Sequence, residues 1–356
     1  GGVNRNCIIN GAMNVAQRAT SSTGLGASSG YFVCDRWRLG TGIDGRLTMS
    51  QDSSAPSGFA NSLKLDCTTA DTSIASDSTV FLEYRKEGQN LQGFAKGTSD
   101  AKPFALSFYV KGNASATYCA ELFDKDNSRH VAKTFSVTTD WTRVELSYPA
   151  DTTGALDDDN ADSLALYIWL HAGSDFSSGT LPATWASNTN ANRAAGISNF
   201  FDSTDRTFFL TGVQLEVGQN PTSFEHEPIE RTLLKCQRYY NRTLDDIAYG
   251  QIGGSFMRGN SDKTKGVIEY PVEMRAKPSV SVIGTNAGAF VVQQGDTGLS
   301  GTIEFGSQWS TGSDKRSSWL DFEGATSGTE GYACQLYRNN RSVGDGSGCL
   351  QFDSEL

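Results

Sequence analysis

The sequence predicts an all-β protein: an N-terminal jelly-roll β-sandwich, one connecting helix and a smaller C-terminal β-sandwich. Three observations carry that reading. With 38 glycines, 8 prolines and abundant Ser, Thr, Asn and Asp, the chain is dense in turn signals. Between the turns lie short runs in which apolar and polar residues alternate, the period of half-buried strands. Apolar residues at helical spacing stand out in one stretch, residues 227–243. A chain of 356 residues can bury two cores, and the predicted division is 1–226, 227–243 and 244–356.

In the first domain, residues 21–30 (SSTGLGASSG) read as a flexible loop by composition. In 102–111 the apolar series is Phe104, Leu106, Phe108 and Val110. In 141–148 it is Val144, Leu146 and Tyr148, in 163–171 Leu164, Leu166, Ile168 and Leu170, and in 213–217 Val213, Leu215 and Val217. Each series places its apolar residues on one face of a strand. Residues 174–196 form a long polar loop that carries Trp185. Loops of that length in a compact domain bind something or pack on a neighbour.

The helix follows. Pro228 suits a first turn, where its missing N–H costs nothing. Glu227 and Glu230 lie near the positive end of the dipole, with Lys235, Arg238 and Arg242 toward the negative end. Ile229, Leu233, Cys236 and Tyr240 fall on one face. That stripe is expected to be buried, on a domain or against the same stripe of sister chains. In 244–356, residues 267–274 (VIEYPVEM) place Ile268, Tyr270, Val272 and Met274 on one face, with Pro271 marking an edge or a bulge. Further short strands are expected at 279–282, 290–292, 302–305, 319–322, 332–337 and 350–352.

Bulk properties narrow the function. The net charge of −10 repels phosphate and argues against nucleic acid as a partner. No run of about 18 apolar residues exists to cross a membrane as a helix, and no signal-peptide pattern precedes the first domain. The seven cysteines, an odd number without CxxC pairs, read as free thiols of a protein made in a reducing cytoplasm.

Candidate chemistry is sparse. No GxSxG, HExxH or phosphate-binding loop occurs, and His130, His171 and His226 lack a supporting motif. The run LDDDNAD puts Asp157, Asp158 and Asp159 together, which fits either a Ca²⁺ loop or a solvated turn; no other cofactor is indicated. Tyr167, Trp169 and His171 share the second face of their strand. They form either a sugar-stacking platform or the covered side of a central strand. Trp185, Trp309 and Trp319 are looser candidates for sugar contact, with core or interface packing as the alternative. Asp35, Arg36 and Trp37 read as a structural corner. Glu225 beside His226 is a poor metal pair.

The stretch 208–242, FFLTGVQLEVGQNPTSFEHEPIERTLLKCQRYYNR, resembles a segment of bacteriophage tail-fibre and related appendage proteins. In that family a carbohydrate-binding-module-like jelly roll ends in a "GVQLE-G" strand and runs on into a "CQRYY" helix. NGAMNVAQR (10–18) with CDRWR (34–38), FALSFYVK (104–111) and the ending QFDSEL are similar to other family pieces. The chain departs from the pattern at 13–16, where aromatics are usual, and has His226 where Arg is common. The resemblance implies a non-catalytic virion protein, made in the host cytoplasm and placed on the particle surface or a tail appendage. It also implies a homotrimer that contacts other virion proteins and adheres to host-surface glycan. A capsid-decoration or head-fibre role, and a glycan depolymerase, are the alternatives.

Overall fold

The structure, a computed structural model, describes residues 4–243, 250–259, 262–284, 286–295, 297–298, 302–309, 311–325, 327–339 and 349–356. The chain forms two compact units, Gly1–Leu233 with Leu356, and Leu234–Glu355.

The first unit is a jelly-roll-like β-sandwich. Its strands are β1 (Ser21–Leu25), β2 (Gly30–Tyr31), β3 (Arg38–Gly42), β4 (Arg46–Asp52), β5 (Ser62–Thr69), β6 (Thr79–Glu87) and β7 (Phe104–Gly112). They continue as β8 (Ala116–Asp124), β9 (Arg129–Val137), β10 (Thr142–Tyr148), β11 (Asp162–Ala172), β12 (Ala186–Ser187) and β13 (Thr207–Val217). One sheet has the order β1-β4-β5-β13-β7-β10 and the other β12-β9-β8-β11-β6-β3-β2, and the recorded pairings are antiparallel. The predicted alternation of β7 is observed: Phe104, Leu106, Phe108 and Val110 are all buried between the sheets. Leu164, Leu166, Ile168 and Leu170 of β11 meet them from the opposite side.

In β13 the alternation changes phase. Phe208 and Leu210 point inward ahead of Gly212, and Val213 and Leu215 after it. The pairing with β7 slips between Thr211 and Gln214, and Gly212 takes φ +61° at that slip. Such a conformation is cheap for glycine, and a Cβ there would strike the Phe59 ring at 2.8 Å. Val217, expected inward, is 44% exposed because the strand ends there. Residues 21–25, expected as loop, form edge strand β1 on β4.

The corner at 34–37 is built by side chains. Asn10 bonds the backbone of Val15 and Asp35, Asp35 accepts the Gln17 N–H, and buried Arg36 donates to the Arg85 carbonyl oxygen. Glu225 accepts the backbone N–H groups of Asn4, Arg5 and Asn6, which ties the N-terminal segment to β13's continuation.

A one-turn helix, α1 (Ser174–Ser177), lies in the 174–196 loop, and the expected connecting helix is α2 (Ile229–Gln237). It is shorter than the 227–243 expected. Tyr240 belongs to strand β14 (Tyr240–Arg242), whose partner at Tyr240 is Asp353. The Tyr-Tyr pair favours the pleated conformation once a partner strand is present. The four-residue stripe is therefore not a single helix face. Ile229 is 51% exposed, Leu233 half-buried and Cys236 buried on α2, while Tyr240 is buried from β14.

The second unit is a smaller sandwich. Besides β14 it contains β15 (Gln251–Arg258), β16 (Thr264–Glu269), β17 (Ser279–Val282), β18 (Phe290–Gln294), β19 (Thr297–Gly298), β20 (Glu304–Gln308), β21 (Ser317–Glu323), β22 (Ala333–Arg338) and β23 (Leu350–Asp353). The sheet β14-β23-β17 packs on the sheet β19-β18-β22-β15-β16-β21-β20 through Val280, Phe352, Phe256, Ile268, Leu320 and Leu336. The expected strand 267–274 is shifted. β16 ends at Glu269, and Tyr270 and Pro271 lie beyond it, because proline supplies no N–H to the ladder and restricts its predecessor.

Candidate functional site

β11 sits between β6 and β8. Its outward residues Tyr167 and Trp169 are not open to solvent. Residues 173–199 fold over them as a strap, whose Phe176, Leu181, Ala194 and Ile197 join Cys119, Ala132, Ala165, Tyr167 and Trp169 in a second apolar cluster. Glu121, fully buried, holds the strap down. Arg193 donates to both its carboxylate oxygens at 2.9–3.2 Å, Trp169 Nε1 donates at 2.8 Å, and His130 Nδ1 lies 2.7 Å from Oε1. The Arg193 guanidinium also lies 4.7–5.0 Å from the ring centroids of Phe123, Tyr167 and Trp169. His171 is buried with Asn199 and has its pKa lowered, chiefly by burial. Of the two readings of this face, the covered central strand is the one observed, and the strap occupies the place of a sugar.

Beside the strap lies an ion cluster. Glu83 takes Arg38 at 2.7 Å, Arg85 at 2.8 Å and Lys125 at 3.2 Å, and Lys125 also reaches Asp162 at 2.9 Å. Burial alone would raise the Glu83 pKa. The Arg85 hydrogen bond and the charges of Lys125, Arg85 and Arg38 outweigh it and bring it from 4.5 to about 2. A depressed carboxyl stabilises the fold above its unfolded pKa and ceases to do so as pH falls through the folded one. Asp162 opposes in part, its pKa being raised by burial. Thermal scans of this unit are therefore expected to lose stability between pH 4.5 and about 2. Glu83→Gln is expected to be less stable at pH 7 and flatter across that window; an unchanged acid limb in the variant contradicts the assignment.

Asp157, Asp158 and Asp159 are exposed and do not converge. Asp159 caps its own turn through the Ala161 N–H, and Asp157 N–H donates to Asp126. Among the described residues no group of three His, Cys, Asp or Glu side chains is placed to hold a metal. An oxygen cage does exist nearby, and an ammonium fills it. Lys96 Nζ, fully buried, bonds Asp124 Oδ2 and lies 3.1 Å from Asp151 Oδ2, 3.1 Å from the Thr153 carbonyl oxygen and 2.8 Å from that of Gly154. Trp185 closes this cage. Its ring is 5.0 Å from Lys96 Nζ and its Nε1 donates to the Pro149 carbonyl, so it is a core residue.

Trp309 and Trp319 differ from these: each is 40% exposed. Their indoles are nearly parallel, with centroids 6.0 Å apart and planes 22° off. The backbone holds them together, since Trp309 N–H donates to the Trp319 carbonyl and Trp319 N–H to Ser313 Oγ. Gly312, at φ +86°, passes so close to the Trp319 ring that a Cβ would come within 3.2 Å of it. The strand register shows what shares this face. Val267 stands opposite Trp319, and the next row runs Met257, Lys265, Asp321, Ser307. Lys265 Nζ is 4.7 Å from the Trp309 ring centroid, a cation–π contact. Asp321 is only 2% exposed, and its Oδ1 has no hydrogen-bond partner among the described residues.

A flat apolar pair with a donor beside it can hold a ring with an apolar face and polar edges. Lys265 and Asp321 escaped the sequence reading. Asp321 was within reach of it, because Trp319 and Asp321 are two apart on a strand and must share a face. Lys265 required the β16–β21 register.

No known protein family matches the chain, and no curated protein does. Among solved structures the chain is similar to a family 11 carbohydrate-binding module from Clostridium thermocellum in complex with a β-1,3-1,4-mixed-linked tetrasaccharide. That match has 12% identity and a TM-score of 0.29, and covers 58% of this chain and 99% of that one. A family 61 module in complex with β-1,4-galactotriose has 6% identity and a TM-score of 0.32, covering 60% and 100%. The enzymatically active domain of tailspike protein 4 of bacteriophage CBA120 has 12% identity and a TM-score of 0.31, covering 60% of this chain and 21% of that one. Likeness at this level is too slight to argue from, and the sandwich assignment rests on the strand pairing.

Proposed function

We propose that the chain is an adhesive subunit of a bacteriophage fibre, a tail fibre or other virion fibre, which holds host-surface glycan on the Trp309–Trp319 face. One observation carries the reading: two large rings remain half in water, locked nearly parallel, with the Lys265 ammonium against one of them. The exposed part of each indole adds nothing to the fold, and paired aromatic faces with a polar group at the rim suit the C–H face and hydroxyl edges of a pyranose. The virion setting is supported by the resemblance of residues 208–242 to appendage proteins. Each contact is weak, and adhesion comes from many copies on one particle. Cosedimentation of the full chain with isolated host-envelope polysaccharide tests this. Trp309→Ala and Trp319→Ala are each expected to weaken binding by about thirtyfold, the scale of an aromatic anchor, while the chain stays folded at the temperature of the assay. Undiminished binding by the double variant contradicts the site.

A further inference from the structure

The Trp309–Trp319 pair stands at one end of a longer open surface. We infer that the ligand is a linear glycan chain laid across the strands, from the two indoles over Lys265 to Met257, and held along its length rather than by one terminal sugar. The inference rests on the reading of the Trp309–Trp319 face as a glycan site.

β15 is the middle strand of its seven-stranded sheet, and only one of its sides is covered. Ile252 and Phe256 point into the core, while Ser255 is exposed and Met257 is 54% exposed. Residues directly opposite each other on a ladder share a face. Met257 is opposite Lys265, Ser255 is opposite Val267, and Val267 is opposite Trp319. Lys265 Nζ reaches the Trp309 ring. These side chains therefore form one surface, which crosses β15, β16 and β21 to Trp309, the residue after β20. Three strand spacings make it about 14 Å long, more than a single sugar ring covers.

The chemistry along this path is mixed. The indoles, Val267 and Met257 are apolar, and Lys265 and Ser255 stand among them as polar groups. A glycan chain repeats the same mixture, with an apolar C–H face and a polar rim in each residue. The Met257 thioether is flexible and polarizable and adapts to such a face. Lys265 supplies N–H donors for hydroxyl or ring oxygens. A second copy of this surface fits less well. Lys265 lies between Met257 and the indoles, so two-fold pairing of the patch on itself brings it toward its own mate, like charge against like.

The test is equilibrium binding of the full chain to fragments of host-envelope polysaccharide, partially hydrolysed and sorted by length from the disaccharide upward. Affinity is expected to rise about tenfold or more between the disaccharide and the fragments long enough to reach Met257. Met257→Ser is expected to lose about fivefold on those longer fragments and nothing on the disaccharide, which separates surface contact from avidity between copies. A disaccharide that binds as tightly as the longer fragments, or a Met257→Ser loss that is absent or equal at every length, overturns the inference and leaves the glycan site standing. Slower oxidation of Met257 to the sulfoxide as the unliganded chain is concentrated places a second copy on the surface and overturns it too. The wild-type length series decides even if the variant is unstable. No binding at any length or to the intact polysaccharide overturns both.

Discussion

Replacing Lys96 with methionine is expected to cost about 3–5 kcal/mol, the scale for removing one partner of a buried ion pair. The ammonium is fully buried and stands among two carboxylates and two carbonyl oxygens. Methionine fills much of the volume but leaves Asp124 charged with its Asn127 contacts alone, and Asp151 with Arg129 and its backbone donor. The transition of the larger unit should fall by about 10 °C. Lys96→Met with Asp124→Asn should recover part of that loss, because the second change removes the stranded charge. A loss below about 1 kcal/mol would mean that the cage is solvated and the ammonium dispensable.

The second large effect is expected at Glu121. It is fully buried, and Arg193, Trp169 and His130 all depend on it. Its pKa is lowered although burial alone would raise it, because His130 and Arg193 favour the charged form. Glu121→Leu strands the Arg193 guanidinium among rings, again at a cost of about 3–5 kcal/mol. The strap should then open, and limited proteolysis should cut within residues 173–199 before the sheets unfold. Glu121→Leu with Arg193→Leu should be more stable than Glu121→Leu alone, since no buried charge is left unpaired. Equal proteolytic resistance in wild type and Glu121→Leu would show that apolar packing holds the strap unaided.

Both residues show where sequence reading reaches and where it stops. Alternation made β7 and β11 legible, because a period of two is a property of the chain itself. The phase change at Gly212 was not, since it depends on pairing with β7 rather than on residues 213–217 alone. The strap was anticipated only as a long loop. That it fills the Tyr167 and Trp169 face follows from Arg193 meeting Glu121 across 72 positions. Tyr240 read as helix because its spacing fits one, and the partner strand that makes it β lies over a hundred positions later. Trp309 and Trp319 were visible as isolated aromatics, and only the fold shows them paired and exposed while Trp185 is buried.

The most direct test of glycan adhesion is residue-resolved hydroxyl-radical footprinting of the full chain, with and without host-envelope polysaccharide. The expected result is protection of Trp309 and Trp319, with no change at Tyr167, Trp169 or Trp185, which are already buried in the free chain. Unchanged oxidation of Trp309 and Trp319 while polysaccharide is demonstrably bound would contradict it.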